Sequence, residues 1–454
     1  MTRVNPVRVL NSSANPFIQS NFERHIASMA IELEKVDHEI KSEKRIQVFK
    51  DILSNTSWVP STVKYALYGL SPIFIILVST SPLTLVPMHN IFDYPSYWYE
   101  TPLQSMAMYL GFEVSNIMCC SYFMNIGYIK MVRHFFIVGI GVFLGTAILY
   151  PAGYIIWTQT LEYPYPIPWT GAIYGYSILA IIWTMIWLRF PTGWRKNAEF
   201  RKRFKSFLVS IIFIHSIYVH YRIITKALLT LQNQYQWVIA ILLPFIRELE
   251  NLIAEKLALG SARGDVMATK MVICFFINTY HTVTLTYAIG ALANDTSSLI
   301  VLICDFLFNL LTALRIIWMV RKKPENKEAA IALLQELVIV EMVEFIIPLV
   351  YLACFCTAYY GPNAELLGNI RNEDFHFVAV EDPFHTIKNV GFFFCFDAIA
   401  LTTLYFVAWF ACRIDLFRVY TALLKEFGLV FLAILIGSLT SVSNNRIKGF
   451  LITA

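Results

Sequence analysis

Runs of about 20 apolar residues, each long enough to cross roughly 30 Å of hydrocarbon as a helix, recur along almost the whole chain. They fall at 65–88, 102–126, 134–157, 168–190, 206–229, 235–255, 267–291, 297–320, 331–360, 387–411 and 421–441, eleven in all. Barrel strands would be shorter and would alternate apolar with polar at every second residue, so the runs are helical. Of the 454 residues, 57% are hydrophobic and 15% charged, more apolar surface than a soluble fold can hide. The expected fold class is therefore an all-α integral membrane protein. It is a polytopic helical bundle of about eleven transmembrane helices behind a short cytoplasmic amphipathic helix. Three regions follow: an N-terminal helical arm at 1–64, the transmembrane domain at 65–441, and a short extracytoplasmic tail at 442–454.

Lys and Arg should collect in every second loop if the spans are counted correctly. One set of loops holds Lys130 and Arg133, then the run from Arg195 to Lys205, then Arg247, Lys256, Arg263 and Lys270. The same set continues with Arg321, Lys322, Lys323 and Lys327, and ends at Arg413 and Arg418. The opposite loops, at 89–101, 158–167, 230–234, 292–296 and 361–386, carry Arg371 alone. This alternation places the N-terminus in the cytoplasm and the C-terminus outside, in the plasma membrane or an endomembrane. No apolar signal-peptide core stands in the first 64 residues. The sixth span is the weakest, because "VIAILLPFIRELENLIAEKL" turns charged halfway.

The arm carries Phe22, Ile26, Met29, Leu33, Val36 and Ile40 at alternating spacings of four and three, a coiled-coil seam. It suits docking on the protein's own inner face, or on a second subunit in a homo-oligomer. Outer loops such as "FDYPSYWYE" and "EYPYPIPW" have the aromatic content of interfacial anchors. The loop "GPNAELLGNIRNEDFHFVAVEDPFHT" is acidic and could gather cations at a mouth. The eight cysteines lie in or beside the apolar runs, as packed thiols rather than a disulfide framework, and no zinc spacing occurs.

Inside the spans, ionisable residues carry the functional signal. Glu113, Asp305 and Asp397 stand near the middle of the second, eighth and tenth spans, with His215 at similar depth in the fifth and His281 further out in the seventh. A carboxylate facing lipid at mid-depth costs roughly 2.5 to 3.5 kcal/mol. Each acid must therefore face a wet cavity, pair with a cation, or hold a proton, and all three outcomes turn it toward the bundle interior. The plain alternative is a hydrogen bond to a neighbouring hydroxyl or amide, such as Ser115 and Asn116 near Glu113 or Thr402 and Thr403 near Asp397.

The ninth span, "LQELVIVEMVEFIIPLVYL", adds Glu336, Glu341 and Glu344. Glu341 and Glu344 lie about 60° apart on the helical wheel, so they share a face, while Glu336 belongs near the inner interface. Arg315 descends to similar depth on the antiparallel eighth span, which predicts an inner-leaflet clamp between Arg315 and Glu341 or Glu344. Pro348 stands one turn after Glu344 and frees its carbonyl.

His215 and His220 stand five apart, about 140° around the helix, which suits neither a shared metal nor a catalytic pair. No phosphate loop, nucleophile elbow, dinucleotide fingerprint or haem pattern occurs, so no catalytic residue, metal site or cofactor is assigned. The expected function is a secondary transporter or permease of a small solute or ion. Protons or cations would couple through Glu113, Asp305 and Asp397, with His215 and His281 along the pathway. An ion channel or multispan chemosensory receptor is the second reading, and an intramembrane acyltransferase or hydrolase the third. The expected partners are the lipid bilayer and the small solute or ion, with no nucleic acid.

Overall fold

A computed structural model describes residues 135–145, 170–230, 235–260, 266–291, 295–322, 327–360, 383–412 and 415–447, with isolated positions between 113 and 156. The N-terminal arm, the first span, the two aromatic outer loops and most of the acidic outer loop lie outside the described residues. Among the described residues the chain is helical and holds no strand. The helices are α1 (Phe135–Leu144), α2 (Thr170–Arg189), α3 (Thr192–Lys196), α4 (Ala198–Thr230), α5 (Gln236–Gly260), α6 (Val266–Ala291), α7 (Asp295–Lys322), α8 (Lys327–Tyr360), α9 (Pro383–Cys412) and α10 (Leu416–Ile447).

Four stretches of these helices are long and apolar enough to cross a membrane: Ala198–Tyr221, Leu299–Met319, Leu333–Thr357 and Phe384–Phe410. Their exterior has the character that hydrocarbon demands. On α7 the exposed large apolar residues are Leu299, Ile303, Leu307, Leu311, Leu314 and Trp318, spaced every third or fourth position. The opposite face of the same helix buries Asp305 and Asn309. On α5 the exposed face carries Val238, Leu242, Phe245, Leu249 and Leu252, while Arg247 and Glu250 point inward. Of the charged half of "VIAILLPFIRELENLIAEKL", Arg247 and Glu250 turn inward whereas Glu248 and Lys256 are exposed, on a helix that continues past Pro244 to Gly260.

The centre of the bundle is the pair α6 and α8. Residues 271–280 of α6 are buried on every side, and so is most of α8 from Leu334 to Tyr351. Helices α4, α5, α9 and α10 pack against α6, and α7, α9 and α10 against α8. Phe275 of α6 stacks on Phe431 of α10 with ring centroids 3.9 Å apart.

Local sequence sets the helix starts. Asn197 caps α4, its Oδ1 accepting from the backbone N–H of Glu199 at 2.8 Å and of Phe200 at 3.2 Å. Asp415 caps α10 in the same way through Phe417 N–H at 3.0 Å and Arg418 N–H at 3.2 Å. Each cap satisfies backbone donors that a helix start leaves open, worth about 1 kcal/mol. Between α2 and α4, Trp183 and Trp187 meet Phe200, Phe204 and Phe207, which locks the turn through α3.

Helix α1 approaches α2 through Gly141 and Gly145, whose missing Cβ positions are occupied by the side chains of Ile182 and Ile178. Gly139, on the other side, has open space. Gly141→Ala is expected to destabilise the solubilised protein in thermal unfolding, because Ile182 must shift. Gly139→Ala should be neutral or gain up to about 1 kcal/mol from the better helix former. Equal melting temperatures for the two variants would contradict the close approach.

Candidate functional site: a buried carboxylate cluster around Arg247

The middle of the bundle holds one guanidinium among several acids. Arg247 comes from α5, Asp305 and Asn309 from α7, Glu341 and Glu344 from α8, and Asp397 from α9; all are buried, Arg247 to 2% exposure. Arg247 Nη1 lies 2.6 Å from Glu344 Oε1 and 3.2 Å from Asp305 Oδ1. Its Nη2 donates to Asn309 Oδ1 at 3.3 Å, and Asn309 Nδ2 donates in turn to Glu344 Oε2 at 2.9 Å. Arg247 thus grips Glu344 directly and again through the Asn309 amide.

Helix geometry explains the convergence. Asp305 and Asn309 are four apart and Glu341 and Glu344 three apart, so each pair projects from one face of its helix. Glu341 lies against Asn309, within electrostatic reach of Asp305 and Arg247. Asp397 lies within electrostatic reach of Glu344, Asp305 and Glu341. Four carboxyl groups therefore share one permanent positive charge. Glu341 Oε1, Asp397 Oδ2 and Arg247 Nε have no hydrogen-bond partner among the described residues. Full ionisation of all four would put like charges together in an apolar surround, so charge balance calls for protons or a bound cation. Among the described residues no group of three or more His, Cys, Asp or Glu side chains is placed to hold a metal ion.

A second network adjoins the first. Glu250 stands one turn from Arg247 on α5. Tyr221 of α4 donates its hydroxyl proton to Glu250 Oε2 at 2.9 Å, and the tyrosine Oη itself lies 3.0 Å from His281 Nδ1 of α6. His220 Nδ1 lies 3.0 Å from Glu250 Oε1. A third set sits toward the start of α6 and α8, where Lys270 pairs with Glu336 and, at 3.2 Å, with Glu255.

The residues singled out from sequence are distributed unevenly over these networks. Asp305 and Asp397 do come together, joined by Glu341 and Glu344. Glu113 is buried elsewhere, beside Asn116 and Trp183. His215 is half-buried, and its Nδ1 bonds the carbonyl of Ile211 on its own helix at 2.8 Å. His281 belongs to the tyrosine network. The hydroxyls of Thr402 and Thr403, considered as partners for Asp397, donate instead to the carbonyls of Ala398 and Ile399 on α9.

The expected clamp has a different cation. Arg315 is exposed, and the guanidinium on Glu344 belongs to Arg247. Arg315 occupies the outward face of α7 beside Leu311, Leu314 and Trp318, whereas Asp305 and Asn309 define the inward one. From sequence Arg247 reads as one of the basic loop charges of the sixth span, which hides its pairing with Asn309 and Glu344 and its place beside Glu250. The available signal was the spacing of Arg247 and Glu250 on the face opposite Leu242, Phe245, Leu249 and Leu252.

Comparison with protein-family models, with curated proteins and with solved structures returned no match for this chain.

Replacing Arg247 by Met keeps most of the volume and removes the charge. It is expected to cost roughly 3 to 5 kcal/mol by stranding Glu344 and Asp305. A second change, Glu344→Gln, should recover part of that loss. Arg315→Ala should stay within about 0.5 kcal/mol of the parent. Thermal unfolding of the detergent-solubilised variants measures all three; equal losses at Arg247 and Arg315 would contradict the assigned pairing.

Proposed function

We propose that the protein is a secondary transporter or permease of a small solute, coupled to protons through the carboxylate cluster of Asp305, Glu341, Glu344 and Asp397. The observation that carries this reading is the excess of acids over Arg247 where α5, α7, α8 and α9 meet. A cluster with more carboxyl groups than cations has sites whose charge changes when a proton enters or leaves. A coupling site must bind and release as access alternates. Protons are favoured over a metal cation because the described side chains form no metal-binding group. Arg247 gives the cluster a fixed positive reference, against which Glu344 and Asp305 are held while Glu341 and Asp397 offer open oxygen atoms.

The reading includes the finer architecture expected from sequence: about eleven spans, the N-terminus in the cytoplasm, and a bilayer as the working environment. Prolines at Pro244 and Pro348 lie inside α5 and α8, near the cluster, where interrupted backbone hydrogen bonding allows a helix to bend. Glu113 and His215 are not part of the proposed coupling site, since their neighbours lie elsewhere. The channel and receptor alternatives drew on the acidic outer loop and the N-terminal seam, which lie largely or wholly outside the described residues.

The test uses the full chain reconstituted in vesicles on a solid support, challenged with a panel of amino acids, sugars and organic cations under a pH step. Wild-type protein should give a solute-dependent, pH-dependent current with at least one member of the panel. Asp397→Asn and Glu341→Gln should lose the pH dependence. Responses and pH profiles unchanged in both variants would sink the proposal.

A further inference from the structure

Beside the carboxylate cluster, four side chains form one continuous hydrogen-bonded chain from the bundle interior to its surface: His281, Tyr221, Glu250 and His220. Its inner end is 1% exposed and its outer end, the His220 side chain, 46% exposed. The proton positions follow from valence. A tyrosine hydroxyl has a single proton, and here it goes to Glu250 Oε2. The contact of Tyr221 Oη with His281 Nδ1 at 3.0 Å then requires that Nδ1 carry a hydrogen and donate it. In the neutral ring this leaves Nε2 as a bare acceptor, and that atom is buried without a hydrogen-bond partner among the described residues. An acceptor nitrogen held open in the interior, at the end of a chain of alternating donors and acceptors, is a landing point for a proton.

We propose that His281, Tyr221, Glu250 and His220 form a proton relay between the bundle interior and the protein surface. This rests on the transport reading, for which it supplies the path taken by the coupling proton.

The transfer balances without any redox partner. A proton arriving at His281 forms an Nε2–H bond. The Nδ1–H bond breaks as its proton passes to Tyr221 Oη, whose own O–H bond breaks toward Glu250. The result is a neutral His281 protonated on Nε2, an intact tyrosine hydroxyl and a protonated Glu250. The Glu250 carboxyl group then turns so that its new O–H bond faces His220; that bond breaks as an Nδ1–H bond forms on a bare His220 Nδ1, and the resulting imidazolium, one residue from the end of the stretch Ala198–Tyr221, releases its Nε2 proton at the surface. Rotation of the tyrosine hydroxyl and of the Glu250 carboxyl group, and return of both histidines to their first tautomers, reset the chain.

The charged and titratable groups around the relay fit such a role. Tyr221 and His220 face Glu250 from α4, and Arg247, one turn from Glu250 on α5, acts electrostatically on both His281 and Tyr221. Arg247 also holds Glu344 and Asp305, so the relay and the carboxylate cluster share one fixed charge.

The relay is tested with the full chain, labelled with nitrogen-15 at histidine and reconstituted in lipid vesicles. In the resting protein His281 should resonate as the Nδ1-protonated tautomer. Tyr221→Phe keeps the ring and removes the acceptor, so this tautomer should lose its dominance; an Nε2-protonated His281 in the wild type overturns the proposal. In the same vesicles, loaded with a pH-sensitive dye and held at an imposed potential, proton entry should exceed that of protein-free vesicles. It should fall by about a hundredfold in Tyr221→Phe, the contribution a positioned proton-transfer group makes. Entry as fast in Tyr221→Phe as in the wild type, or no faster in the wild type than without protein, overturns the relay. His220→Gln should slow entry without altering the His281 tautomer, and normal entry in this variant also overturns it. Asp397→Asn separates the two ideas. A relay that fails while Asp397→Asn still slows entry leaves the carboxylate coupling site standing. Slowing by Tyr221→Phe with normal entry in Asp397→Asn supports the relay and removes the acids from the path.

Discussion

The guanidinium of Arg247 is the charge around which the interior is arranged. Arginine stays protonated in any protein environment, so a helix that turns Arg247 inward obliges its neighbours to supply acceptors. Glu344 and Asp305 meet that demand as charges and Asn309 as an amide that also bonds Glu344. Three helices, α5, α7 and α8, are therefore tied at one level by contacts that tolerate little displacement. Such a buried cluster need not add net stability, because desolvation opposes the Coulombic gain. What it does impose is registry, since sliding any one helix by a turn would leave a charge stranded in an apolar interior.

The same constraint accounts for the inverted distribution of side chains. A helix in hydrocarbon satisfies its backbone internally and presents apolar side chains outward, so its polar groups must find one another across helix interfaces. On α7 leucines, isoleucine and tryptophan lie outside, with Arg315 among them, and Asp305 and Asn309 lie inside. The central helices α6 and α8, surrounded by other helices, have no outward face over their middle turns. His281, Glu341 and Glu344 are accordingly enclosed by protein on all sides. A titratable group shielded from bulk water exchanges protons only along the hydrogen bonds it makes. The chain through Tyr221 and Glu250 to His220 is such a route.

Asparagine and tyrosine link what would otherwise be separate ion pairs. Asn309 both accepts from Arg247 and donates to Glu344, and Tyr221 Oη stands between Glu250 and His281. Each joins a donor to an acceptor on different helices, and in both networks the central link is a neutral group. Networks of this kind couple their members, since each bond polarises the next.

The amino-acid sequence by itself determined the helical class, the presence of membrane-length apolar helices, and the fact that Asp305, Asp397, Glu341 and Glu344 must turn inward. Those conclusions rest on local properties: segment length, hydropathy, and the cost of a charge in lipid. It also suggested that Glu341 and Glu344 share a face, because 100° per residue is a property of any helix. Only the tertiary structure decided which cation serves them. Arg247 and Arg315 both stand in largely apolar helices, and the choice between them depends on helix rotation. Arg247 turns in and Arg315 turns out because the apolar stripe of α5 lies opposite Arg247, while that of α7 runs beside Arg315. The meeting of His281 with Tyr221 and Glu250 was hidden for the same reason. Sequence separations of 60 and 29 residues carry no information on proximity until three helices have packed.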